Sequence, residues 1–146
     1  MAAVGIVPNR NGLVSFLSTC GPYAASQIST CDYGVMERVS GCGIMLRPDG
    51  DSPIENLTKG TAANYFVGWG IMGELWIRYT GDSPAFLSNV WQGMDDIYNT
   101  FAKDVTFLST ACYGVLTGIS HNIGEGMELG GKDYGIVRFK VLIQDF

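Results

Sequence analysis

The chain has 146 residues, 47% of them hydrophobic and only 16% charged, with a formal net charge of −5. That length suits one domain with a sizeable core, and so much apolar material excludes a disordered chain. The nine basic residues are scattered singly, which excludes the basic stripe that a grip on nucleic acid requires.

Residues 1–12 (MAAVGIVPNRNG) read as an extended N-terminal arm closed by Pro8 and Gly12. Asn11 is placed to cap a short helix from Leu13 to Thr19, with Val14, Phe16 and Leu17 as its apolar contacts. Gly21-Pro22 ends it. From Tyr23 to Gly41 the reading is ambiguous: Ile28, Cys31, Val35 and Val39 fit a helix face, while Gly34 and the Ser/Thr content oppose one. Gly43 to Arg47 reads as a short strand stopped by Pro48-Asp49-Gly50, and a polar, turn-rich connector follows over 48–64.

Tyr65 to Thr80 reads as a long strand. Leu75, Ile77 and Tyr79 share one face; Glu74, Trp76, Arg78 and Thr80 share the other. Glycines 68, 70 and 73 suggest a bulge or the close approach of another backbone. The clearest element comes next. Leu87, Val90, Trp91, Met94, Ile97, Tyr98 and Phe101 recur at three- and four-residue steps, the stripe of an amphipathic helix. Ser88, Gln92, Asp95, Asp96 and Asn99 take the solvent side, and Lys103 suits the negative pole of the helix dipole. A strand over Cys112–Ser120, a Gly-rich loop over 121–135 and a final strand over Ile136–Gln144 complete the chain. In that last strand Val137, Phe139, Val141 and Ile143 oppose Arg138, Lys140 and Gln144. The expected class is α+β: a mostly antiparallel sheet packed on a long amphipathic helix, with a short N-terminal helix, in a single domain over 1–146.

The tetrapeptide GDSP occurs twice, at 50–53 and 81–84. A nucleophilic Ser52 or Ser83 needs a base within hydrogen-bond reach, and His121 is the sole histidine. Proline follows both serines, against the small residue that a nucleophile elbow requires. The second copy reads instead as a helix start: Asp82 or Ser83 as N-cap, with Pro84 in the first turn. In the first, Asp51 or Ser52 caps a single turn holding Ile54, Glu55 and Leu57. A hydrolase using Ser83 or Ser52 with His121 is the alternative from a different class.

GEGMELGGKDYG (124–135) lacks GxGxxG spacing and precedes a strand, so it offers phosphate no helix N-terminus; a β-hairpin or interface loop fits better. The carboxylate pairs Asp95/Asp96, Glu125/Glu128 and Asp49/Asp51 read as solvated surface. Cys20, Cys31, Cys42 and Cys112 include no CxxC, so neither a zinc site nor any other metal or cofactor is expected, and free thiols in a reducing cytoplasm are. The sequon at Asn56 then signals loop polarity alone. No secretory signal or membrane span is read, since Gly68, Gly70, Gly73 and Glu74 interrupt the run from Tyr65 to Ile77. A small-ligand pocket between sheet and helix has no convergent polar set to announce it.

The order of elements over residues 42–146 resembles the tail terminator (tail completion) proteins of long-tailed bacteriophages. A strand ending in Arg-Pro leads to GELWIRYTGDSP, the helix LSNVWQGMDDIYNTFAKD, the stretch Asp104-Val105-Thr106-Phe107-Leu108, and the closing strand GIVRFKVLIQDF. The resemblance implies a virion protein, not an enzyme: a hexameric ring at the top of the tail tube, touching the tube protein and the head-side connector. It implies assembly in the host cytoplasm and DNA sliding through the lumen without specific binding, which an acidic balance suits. Residues 1–40 lie outside it, which keeps another neck, connector or tail tube subunit open. A charged fraction below the usual roughly 25% fits apolar surface covered by partner subunits. Expected interface residues are the aromatics Trp69, Trp76 and Tyr65. Asp51 and Ile54 in the 48–64 loop join them, as do His121, Glu125 and Glu128 in the 121–135 loop.

Overall fold

The computed structural model describes residues 5–35, 42–50, 54–59, 65–104, 106–108, 113–129 and 132–144, with backbone alone for 54–59, 65–67, 113, 122–129 and 132. The first helix, α1 (Ile6–Cys20), begins well before the expected Leu13. The extended arm is thus helical from Ile6 onward, because Pro8 falls in the first turn, where a missing N–H costs nothing. Asn9 reinforces that turn by donating from Nδ2 to the Gly5 carbonyl at 2.8 Å, and Asn11 is not the cap. Asn9, Gly12, Leu13, Phe16 and Leu17 are buried, the one-faced spacing of a helix packed on a core.

Six strands form one sheet: β1 (Ile28–Ser29), β2 (Cys42–Pro48), β3 (Ile54–Lys59), β4 (Tyr65–Arg78), β5 (Tyr113–Leu129) and β6 (Lys132–Gln144). The order is β1-β2-β4-β6-β5, with β3 also on β4. Among the described residues only β1 and β2 pair in parallel. The fold is α+β, with the second helix, α2 (Ser83–Lys103), between β4 and β5.

Two expected loops are strands. β2 pairs with β4 from Cys42↔Ile77 to Pro48↔Ile71, and β3 continues along the same edge from Ile54↔Trp69 to Lys59↔Tyr65. The connector over 48–64 therefore contains a strand, and the Asp49 N–H still reaches the Gly70 carbonyl at 3.0 Å. The polar run IENLTK gives no apolar alternation, so its pairing comes from the backbone ladder with β4. The described residues of 121–135 belong to β5 and β6, which pair as the β-hairpin expected there as the alternative to an interface loop. Its register runs from Asn122↔Ile136 to Met127↔Tyr134, so residues 123–126 bulge opposite Gly135 alone. Glycines there accommodate the bulge rather than mark the end of the strand.

The sheet has two different faces. One packs with both helices: Ile44, Leu46, Ile71, Leu75, Ile77, Val137, Phe139, Val141 and Ile143 join Leu13, Phe16, Leu17, Val90, Ile97 and Phe101. This bears out the alternation expected for β4 and β6. Gly73 lies opposite Phe139, whose ring covers the space a Cβ at 73 would occupy, so the aromatic packs on bare backbone.

The other face holds a smaller cluster of Met45, Trp76, Tyr134 and Ile136. Trp76 meets Tyr134 edge-on at 5.5 Å and Tyr33 at 5.6 Å. Beside it, Glu74 is only 4% exposed. Tyr33 Oη donates to its Oε1 at 2.9 Å, and the Arg138 and Arg47 Nε atoms lie 3.5 and 3.8 Å from Oε2. That charge is tolerated because three donors from three elements surround it. Lys140 Nζ pairs with Asp49 Oδ2 at 2.8 Å on the same face.

Candidate functional site

The second GDSP is a turn and a cap. Gly81 takes φ 92°, a left-handed conformation that favours glycine. Asp82 is then the N-cap, its Oδ1 accepting from the Ala85 N–H at 3.2 Å. Ser83 is already helical, and its hydroxyl lies 3.2 Å from that of Tyr79. His121 lies exposed on β5, opposite Val137 of β6 and so beyond β4. Among the described residues no hydrogen bond joins it to Ser83. The serine–histidine pairing that a hydrolase requires has no geometric support there. Asp51 and Ser52 lie outside the described residues.

The expected aromatic anchors are placed differently. Trp76 is 3% exposed, inside its own protomer's back-face cluster, and Trp69 is half-buried against the main core. Strand alternation separated the two faces of β4 correctly, but the back face is covered by Tyr33 and Val35 rather than by solvent. Ile54 pairs with Trp69 in β3, Glu128 pairs with Asp133 near the hairpin end, and Glu125 lies in the β5 bulge. The side chains of these three, and of Tyr65, lie outside the described residues.

Exposed aromatics occur instead on α2. The single apolar stripe read from the sequence divides: Val90, Ile97 and Phe101 are buried, whereas Leu87, Trp91 and Tyr98 are 44%, 73% and 63% exposed. At 100° per residue the whole stripe spans about 120° of the helix, and the sheet covers one side of it. Leu87, Trp91, half-buried Met94 and Tyr98 then align as an uncovered apolar ridge. Phe107 fills the neighbouring space from the turn after α2, packing on Phe16 and Phe101. That turn is fixed by Asp104, whose carboxylate accepts from the N–H groups of Leu108 and Thr106 at 2.7 and 2.8 Å and from the Thr106 hydroxyl at 2.7 Å. These bonds hold the Asp104 carboxyl below its ordinary range, the Leu108 N–H contributing most.

On the opposite flank of α2 lies a cavity of about 470 Å³. Buried Tyr23, Leu75, Ile77 and Gly93 form its inner wall, and Cys42 and Asp96 are half-buried beside them. Exposed Arg78, Thr80, Asn89 and Gln92 line the outer part. Asp96 Oδ1 accepts from Gln92 Nε2 at 2.8 Å. Burial, then the charges of Asp96 and Cys42, push the Tyr23 phenol far above its ordinary range, so it stays a neutral donor. Burial raises the Cys42 thiol too, with Asp96 adding to it. Among the described residues the buried Tyr23 hydroxyl has no hydrogen-bond partner, a condition that costs about 1–3 kcal/mol. These polar groups come from four separate stretches of chain, which is why no convergent set was visible in the sequence.

Among the described residues no group of three His, Cys, Asp or Glu side chains gathers as a metal site, and Cys20, Cys31 and Cys42 are free thiols. No helix among them is long and apolar enough to cross a membrane. Comparison of the chain with protein-family models and with curated proteins finds no match to either.

Proposed function

We propose that this protein is a structural virion protein of the tail terminator type. Its subunits form a ring, hexameric in this reading, that caps the tail tube and joins it to the head-side connector. It assembles in the host cytoplasm and resides in the particle between tail and head. The observation that carries the proposal is the ridge of Leu87, Trp91 and Tyr98 on α2. Large rings left in water on one helix flank are the anchors by which protein interfaces gain most of their affinity. A ridge that docks on a different surface of the next copy makes a head-to-tail contact, which closes into a ring when the rotation between copies closes and otherwise grows an open filament. The long α2 packed on an antiparallel sheet, and the acidic turns at Asp82 and Asp104 that flank it, support the same reading. A net charge of −5 suits a lumen through which DNA slides without adhering.

Native mass spectrometry of the purified chain, alone and with tail tubes, tests this. A six-fold mass is expected for wild type, and a monomer of unchanged circular dichroism for Trp91→Glu. Monomers at every concentration with tubes present overturn the proposal. So does a Trp91→Glu variant that assembles as wild type does.

A further inference from the structure

We infer that the cavity between α2 and the sheet is a binding site for a small zwitterionic amphiphile of the amino-acid class. The inference is independent of ring assembly, because Asn89, Gln92 and Asp96 project from the flank of α2 opposite Trp91.

Its volume of about 470 Å³ falls within the roughly 300–1,000 Å³ of small-molecule pockets. Leu75 and Ile77 supply an apolar floor, and α2 approaches it closely at Gly93, where a Cβ would stand 2.7 Å from Leu75 Cδ2. Among the described residues Asp96 is the only carboxylate lining the cavity, and the only partner of that carboxylate is Gln92. Its second oxygen suits a ligand ammonium. Arg78, exposed on the same cavity, suits a ligand carboxylate. Tyr23, 5% exposed, lines the inner wall, and among the described residues its hydroxyl has no hydrogen-bond partner. Buried hydroxyls are almost always paired.

Calorimetric titration with three probes of one size tests the inference: L-phenylalanine, phenethylamine as the cation alone, and 3-phenylpropionate as the anion alone. Saturable binding is expected, tightest for phenylalanine. Asp96→Asn should weaken phenylalanine about tenfold while leaving phenylpropionate unchanged. Absence of saturable binding by any probe overturns the site. Equal affinities for the three probes, or phenylalanine binding indifferent to Asp96→Asn, overturn the zwitterion assignment. Repeating the titration on Trp91→Glu separates the outcome from that of assembly, because the cavity lies within one protomer.

Discussion

Trp76 lies on β4 and Trp91 on the helix that follows it, yet they are 3% and 73% exposed. The strand pattern places Trp76 on the polar face of the sheet, beside Glu74 and Arg78. The helix pattern places Trp91 among residues destined for the core. Both patterns are real, and both tryptophans end on the opposite side of the solvent boundary from the one expected. A periodicity identifies which residues share a face. It does not say what covers that face. The segment after β1 brings Tyr33 over Trp76, and one side of the α2 stripe is left exposed.

The difference between the two tryptophans can be broken by measurement. Trp76→Ala should cost about 3–5 kcal/mol of unfolding free energy, because it empties a cluster shared with Met45, Tyr134 and Ile136. Trp91→Ala, measured by urea at concentrations too low for assembly, should change stability by less than about 0.5 kcal/mol. Equal losses in the two variants would remove the distinction.

The two residues of the GDSP turn sharpen the same point on a smaller scale. Asp82→Ala should destabilise by about 0.5–2 kcal/mol, since it removes the cap on α2. Ser83→Ala should stay within about 0.5 kcal/mol, and a larger loss there would return the cap to the serine.

The smallest expected effect concerns the turn at the other end of α2. The folded-state pKa of Asp104 is depressed from its ordinary 3.8, so its contribution is fully present above that value and is lost as pH falls through the lower folded value. Urea midpoints for wild type and Asp104→Asn should therefore differ at about pH 5 and converge toward about pH 2. A constant difference across that range would show that the carboxylate charge does not act in the turn.

Much of the local structure was legible in the chain. The alternation of Leu75 and Ile77 against Glu74 and Trp76, and of Val137 to Ile143 against Arg138 and Lys140, fixed the faces of β4 and β6, because side chains on a strand alternate whatever lies outside it. The glycine and aspartate of the second GDSP announced a turn and a cap, which depend on only a few neighbouring residues. The early start of α1 was masked by Pro8, a residue that breaks helices everywhere except in their first turn. The strand within 48–64 left no pattern of its own. IENLTK carries no apolar alternation to announce a strand, and its pairing with the strand that follows it rests on the backbone ladder.

The cavity shows the same limit for function. Tyr23, Cys42, Ile77 and Asp96 belong to separate stretches, each of which has a bland reading by itself. Only the close approach of α2 to β4 at Gly93 brings them to one wall. What the sequence determined by itself was the set of local faces, turns and caps, because those follow from the geometry of neighbouring residues. What covers Trp76, what leaves Trp91 in water, and what strands Tyr23 without a partner were decided by tertiary packing, since burial depends on which distant surfaces meet.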